Sequence, residues 1–382
     1  MLSNTKFSVK LLCSTAFSLS LLAMTGIANA ADLSSATKSL DDAVTNGEKA
    51  IEDAVGPKLD VDLYGSARVG FDYIEAGVSQ DGLNGRDFLS RIGVKAKYQL
   101  NDRFSVFGQF EYGTRSDVVD FVQNGGLTLR IASVGVGHKD YGTLSFGSQT
   151  TVFHSFVRGS YFSDGLDTVR LATIREDDYL QYRFKYGNFK FGIGTQLEGQ
   201  DGDNFDQVQV GAEYSIGPVK LQAAYAKDLE GPLQGNLYGV RAFWKINDIF
   251  TLSAYHHQQD DEFDFPSGAG STGTLRLRAS GGGLGNINFI PTCVGEDRTA
   301  SGIYGSARVK EHQFHARYAV DSCDTSGDVQ SIKGEYVYHY DKNLRFWTSV
   351  EHLENDAGRV PTALVGITDN FTSFQGGLRL DF

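Results

Sequence analysis

Between Thr151 and Asp177 the chain carries groups that an ordinary surface connection does not need. Phe153, Phe156, Tyr161 and Phe162 are aromatic, Arg158, Arg170 and Arg175 are basic, and Asp164, Asp167, Glu176 and Asp177 are acidic. Side chains of both signs on one non-periodic stretch can set up a local field that orients water and polar solutes. Loops of this length inside a compact domain are usually functional. Other groups point to less. Asp201, Asp203 and Asp206, and the run Asp260, Asp261, Glu262 and Asp264, offer oxygen ligands, but each loop is too incomplete for a calcium hand and reads as a solvated acidic segment. His154, His256, His257, His312 and His315 lack metal-ligand spacing, so no metal and no cofactor is expected. Arg276 and Arg278 lie near the glycines of SGGGLG, but no helix follows, which excludes a phosphate loop. No Ser/His/Asp-type set stands out, and the chain does not read as an enzyme.

The elements around the mixed stretch define its setting. A short strand, Thr143 to Thr150, precedes it, and another, Asp178 to Tyr186, follows it. From Asp60 onward the apolar period is two. Val61, Leu63, Gly65, Ala67, Val69, Phe71 and Tyr73 alternate with Asp62, Tyr64, Ser66, Arg68, Gly70 and Asp72. Phe88, Ile92, Val94, Ala96 and Tyr98 are set against Arg91, Lys95 and Lys97, and the pattern recurs to the terminal run ending in Leu378, Leu380 and Phe382. The polar faces carry Arg, Lys, Glu and Gln in series, which a dry core cannot bury but a wet lumen can hold. Tight turns (Asn101-Asp102, Gly187-Asn188, Gly217-Pro218, Asn247-Asp248, Asp341-Lys342-Asn343) alternate with long polar loops. That layout predicts an all-β, transmembrane antiparallel β-barrel of about 16 strands, with the long loops on one side and the 151–177 loop folded inward. Residues 260–299 read as one long outer loop, followed by a strand near 300–309 and another at 313–320. The strand Leu127 to His138 has an ambiguous phase and is expected to carry a bulge. Tyr73, Tyr98, Tyr112, Tyr186, Tyr214, Tyr225 and Tyr340 fit interfacial aromatic girdles.

The N-terminal part differs from the rest. Residues 1–30 read as a secretory signal peptide: Lys6 and Lys10, then an apolar run, then Ala28-Asn29-Ala30 as cleavage site. Loss of those two lysines takes the formal charge from −12 to −14, a balance that argues against nucleic acid as a partner. Residues 31–58 have apolar positions at spacings of three and four and an acidic polar side, which predicts a short amphipathic periplasmic helix ended by Gly56-Pro57. The barrel then occupies 59–382. With Cys13 in the signal, Cys293 and Cys323 remain as an even pair in an exported chain, which predicts a disulfide between two neighbouring outer loops.

Several stretches resemble the general porins of Gram-negative outer membranes. They are Val61-Asp62-Leu63-Tyr64-Gly65, Ser90-Arg91-Ile92-Gly93-Val94-Lys95, Phe107-Gly108-Gln109-Phe110-Glu111-Tyr112, the run from Arg130 to Gly147, and the terminal Leu380-Asp381-Phe382. The resemblance implies a homotrimer in the outer membrane, in contact with lipid and lipopolysaccharide. It also implies a third loop folded into the lumen and passive diffusion of small hydrophilic solutes and ions. By position, Arg91, Arg130 and Arg175 match the family's wall arginines. Arg68 stands on the same face of the first strand, where many relatives have a lysine near the position of Ser66. The family's usual loop acids are replaced by Tyr161 to Asp167, so Asp164 and Asp167 are the acid candidates of the constriction. The net charge favours a weak cation preference. A substrate-selective channel and a plugged structural or adhesive barrel remain as alternatives.

Overall fold

In the computed structural model the described residues are 59–75, 82–114, 127–158, 162–163, 171, 174–197, 204–229, 235–260, 275–277, 287–289, 296–325, 327–355 and 370–382, with positions 38, 39, 42 and 44–46 of the leader, which are helical. The proposed signal segment, most of the leader, Asp164, Asp167 and Cys293 lie outside them. The strands are β1 (Leu59–Glu75), β2 (Gly82–Asp87), β3 (Ser90–Gln99), β4 (Phe104–Thr114), β5 (Leu127–His138), β6 (Gly142–Thr150), β7 (Arg175–Tyr186), β8 (Phe189–Gln196), β9 (Gln207–Ile216) and β10 (Val219–Asp228). They continue as β11 (Asn236–Lys245), β12 (Phe250–Gln259), β13 (Leu275–Leu277), β14 (Ile287–Phe289), β15 (Arg298–Val309), β16 (His312–Cys323), β17 (Gly327–His339), β18 (Leu344–Asn355) and β19 (Asn370–Asp381).

All large-sheet pairings are antiparallel and, apart from β12–β15 and β1–β3, between chain neighbours, and β19 returns to pair with β1, so the sheet closes on itself. Strands β2 and β3 pair with the two halves of β1 and form a single broken stave, which gives a barrel of 16 strands. Closure removes both sheet edges, the condition for spanning a bilayer with strands. The last residue takes part: Gly65 and Phe382 exchange backbone N–H···O bonds of 2.7 and 3.2 Å. A typical strand such as the 12-residue β5 is about 40 Å long and, tilted by about 45°, covers the ~25 Å apolar band.

The period of two decides which way each side chain points. Phe110, Val134, Val240 and Ile332 are more than half exposed on the outer face, where lipid would meet them. Gln207, Gln209, Glu213, Arg317 and Lys333 are buried on the inner face. The tight turns fall where the spacing predicts them, and β15 and β16 are joined through Lys310, whose φ is +55°. The bulge in β5 is present: register against β4 shifts between Glu111 and Tyr112, leaving Arg130 as the extra residue. Three details depart from the sequence reading. The strand after the mixed stretch is longer than Asp178 to Tyr186, because β7 already begins at Arg175. Residues 260–299 are not structureless throughout, because β13 and β14 pair as a small separate ribbon. Phe88 does not share the outward face of Ile92 and Val94. The stave breaks between Asp87 and Ser90, where Leu89 has φ +68°, and the break turns Phe88 inward onto Trp347, ring centroids 4.7 Å apart and perpendicular.

Candidate functional site

The 151–177 loop leaves β6 and enters the barrel at once. Its first turn is a short helix, α1 (Val152–Val157), capped by Thr151, whose side chain accepts from the His154 N–H. Val152, Phe153, Phe156 and Val157 are buried against the inner faces of β8 to β11. Those faces are emptied for them. A Cβ on Gly211 would stand 2.5 Å from the Phe156 ring, and one on Gly239 would stand 2.6 Å from Phe153. Ala224 and Ala226 continue the seat. Polar contacts fix the pose: the Phe153 N–H donates to Gln209 Oε1 at 2.8 Å, and Arg183 donates to Ser155 Oγ at 2.7 Å. His257 uses both ring nitrogens, its Nε2 on the Val157 carbonyl (2.7 Å) and its Nδ1 accepting from the Leu171 N–H (3.2 Å). That assigns the neutral Nε2–H tautomer.

The middle of the loop reaches other strands. Phe162 lies under Lys333 Nζ (4.7 Å to the ring centre) and Arg317 (5.6 Å), edge-on to Tyr304 (5.7 Å). Each such cation–ring contact is worth about 0.5–2 kcal/mol. The Ser163 N–H and Oγ donate to the two oxygens of Glu335, at 2.8 and 3.2 Å. The loop thus touches β8 to β11 at its start, β15 to β17 at its middle and β12 at Leu171. It closes at its root, where the Thr151 N–H donates to the Ile174 carbonyl at 3.0 Å. Its described residues contact the inner wall on strands from β8 to β17, as expected of a loop folded inward.

Of the sequence-derived constriction residues, Arg91 and Arg130 converge. Arg130 Nε donates to Glu111 Oε1 at 2.6 Å, Tyr64 OH donates to Glu111 Oε2 at 3.1 Å, and the charge of Arg91 acts on the same carboxylate. Lys95 sits 4.4 Å over the Tyr64 ring. Arg68 is 1% exposed, so its guanidinium is packed away from open water, with Nε bonded to Ser66 Oγ at 2.8 Å. It heads a register row with Arg379 and Arg345 on β19 and β18. Arg175 stands opposite Thr150 at the root of the loop. Asp164 and Asp167 lie outside the described residues. The sequence reading missed Glu111, Arg183, Glu335 and the glycine seat as site residues. Glycines at lumen-facing positions of β8, β9 and β11 were the available signal, since a polar face has no other use for residues without side chains.

A model of the Gram-negative porin family matches residues 15–358. Outer membrane protein F of Serratia marcescens is 25% identical over 290 residues, covering 70% of this chain and 71% of that protein. Outer membrane porin F of Salmonella typhimurium strain LT2 is 27% identical over 228 residues, 52% of this chain and 61% of its own length. An outer membrane porin protein of Bordetella pertussis is 27% identical over 165 residues, 37% and 43% respectively. The chain therefore spans less than two thirds of most of these curated relatives. Among solved structures, the anion-selective porin from Comamonas acidovorans superposes with a TM-score of 0.61 at 15% identity, over 85% of this chain and all of that one. Salmonella typhi OmpF in complex with daunomycin gives 0.61 at 16% identity, over 85% and 98%. At these identities the structures show a shared fold.

Proposed function

The chain belongs to the Gram-negative porin family, and from that premise we propose that it forms a water-filled outer-membrane channel for passive diffusion of small hydrophilic solutes and ions. One observation carries the reading: the 151–177 loop runs inside a barrel whose inner wall is lined by charged and amide side chains, with the Arg91–Glu111–Arg130 cluster on that wall. A lumen of that chemistry stays wet, and opposed charges across it bias which solutes pass. The working unit is a homotrimer embedded among lipid and lipopolysaccharide. Residues 1–30 are removed on export, and 31–58 form a periplasmic helix. Asp164 and Asp167 supply the acids facing the wall arginines. Cys323 is disulfide-bonded, and its partner in this proposal is Cys293.

The net charge of −12 supports a weak preference for cations. A second reading, preference for anions, is favoured by Arg91 and Arg130, two wall arginines that act on the one carboxylate of Glu111. The zero-current potential across a KCl gradient separates the two. A potential of the cation-permeable sign supports the first reading, and the opposite sign replaces it with the second. Liposomes that do not swell in small sugars when loaded with the protein would remove the channel reading altogether.

A further inference from the structure

The barrel holds a cavity of about 450 Å³ away from the Glu111 cluster, between Ser163 of the inward loop and the Asp341-Lys342 turn. Its size falls in the range of small-molecule sites. Its walls come from β15 to β18. Arg308 of β15 pairs with Gln313 of β16, Gln313 with Val337 of β17, and His339 of β17 with Arg345 of β18. Arg308 and Arg345 are therefore three strand spacings apart, roughly 14 Å at ~4.8 Å per spacing. Two long side chains entering from opposite sides can meet one small solute across that gap.

The charge in the cavity is one-sided. Arg308, Lys342 and Arg345 line it, against a single carboxylate, Asp341. That carboxylate is engaged by its own turn, accepting from the Asn343 and Leu344 N–H groups, both at 2.7 Å. Arg345 shares Asp381 with Arg379, at 2.7 and 2.8 Å, so two cations face that one acid. Arg308 and Lys342 have no carboxylate partner among the described residues. Arg308 uses its Nε only weakly, on the Lys310 carbonyl at 3.4 Å. Uncharged donors and acceptors complete the lining. His339 Nε2 meets Gln313 Oε1 at 2.8 Å, and Ser163 is held in place by Glu335.

We propose that this cavity is an anion-binding subsite at the turn-side mouth of the channel, taking a small oxyanion with two negative charges, a phosphate or a short dicarboxylate. The chemistry follows from the lining. A guanidinium presents paired donors that fit carboxylate and phosphate oxygens, a lysine adds a point charge, and such charge-assisted bonds are about twice as strong as neutral ones. A monovalent halide would gain one such contact, whereas a dianion gains contacts from both walls. Ser163 of the inward loop lines the cavity together with the Asp341-Lys342 turn, so a solute that passes Ser163 meets the subsite before leaving.

The inference rests on the channel reading, and the test separates the two. The purified full-length trimer is placed in planar bilayers in KCl, and sodium phosphate or succinate is titrated on the side of the short turns. The expected result is saturable reduction or flicker of the chloride current, with phosphate and succinate compared to tell which oxyanion is preferred. In the double variant Arg308→Gln, Lys342→Gln, the half-blocking concentration is expected to rise about tenfold or more, from the loss of charge-assisted bonds. Retained trimers on unheated gels show that this variant is assembled. Normal KCl steps with no saturable effect of either anion, or the same half-block in the double variant, would overturn the subsite and leave the channel standing. Absence of KCl steps from assembled wild-type trimers would overturn the channel reading, and the subsite with it.

Discussion

At the scale of single residues, Glu111 and Arg130 set the local sign of the field on the wall beside Arg91. Their 2.6 Å ion pair is largely shielded from water, the Arg130 and Glu111 side chains being 12% and 7% exposed, so removing one partner leaves the other's charge uncompensated on the wall. A unit charge about 7 Å from an ion path is worth roughly 0.6 kcal/mol in water-like surroundings, about a threefold change in local ion concentration. Arg130→Gln is expected to move the zero-current potential in a KCl gradient toward cation preference, and Glu111→Gln to move it the other way. Shifts of the same sign in both would contradict the assignment. Gly211 has a steric role. A side chain there must displace Phe156, whose ring lies 2.5 Å from the Cβ position. Gly211→Leu should destabilise the barrel by about 1–3 kcal/mol, read as a lower temperature for the folded-to-unfolded gel shift. Gly85, where a Cβ meets nothing within 4 Å, is the control, and Gly85→Ala should leave that temperature unchanged.

At the scale of elements, the inward loop is held in two ways. Its helix α1 is seated by apolar packing on a strip of small residues, while Phe162 and Ser163 are held by cations and by one carboxylate, Glu335. Glu335→Ala removes both acceptors of Ser163 and should increase open-channel noise in bilayer recordings while trimers persist on unheated gels. Unchanged noise would mean that the packing of α1 alone fixes the loop. The outer end of β16 carries the second element-scale expectation. With Cys293 and Cys323 joined, the unfolded chain should run faster without reductant than with it, and Cys323→Ser should abolish the difference. How much of this was legible in the sequence varies by element. The ambiguous phase of β5 announced its bulge, because an extra residue shifts the alternation on one side of Arg130. The break before β3 had no such signal. Leu89 adopts a left-handed φ that its side chain does not favour, and so Phe88 was placed on the wrong face. The path of the loop was legible only in outline. Its length and mixed chemistry pointed inward, but the partners that hold it, Gln209, His257 and Glu335, come from strands far away in the chain.

At the scale of the whole molecule, the architecture follows from one rule applied repeatedly. A period of two puts Val, Ile, Phe and Tyr outside and Gln, Glu, Lys and Arg inside, and closure by β19 on β1 leaves the large sheet without an edge. This was readable residue by residue, because a strand with lipid on one side and water on the other leaves no other place for either set. The sign of ion preference was not readable in the same way. It depends on how a few charges are placed around the passage, and the net charge averages over loops far from it. The central claim is that the loop-bearing barrel is an open aqueous channel, and single-channel recording of the purified trimer in planar bilayers tests it most directly. The account predicts stable, ohmic current steps arriving in threes, in KCl and without any added solute. Assembled, unheated trimers that insert and carry no current, or pass only rare steps blocked outright by one class of solute, would contradict it.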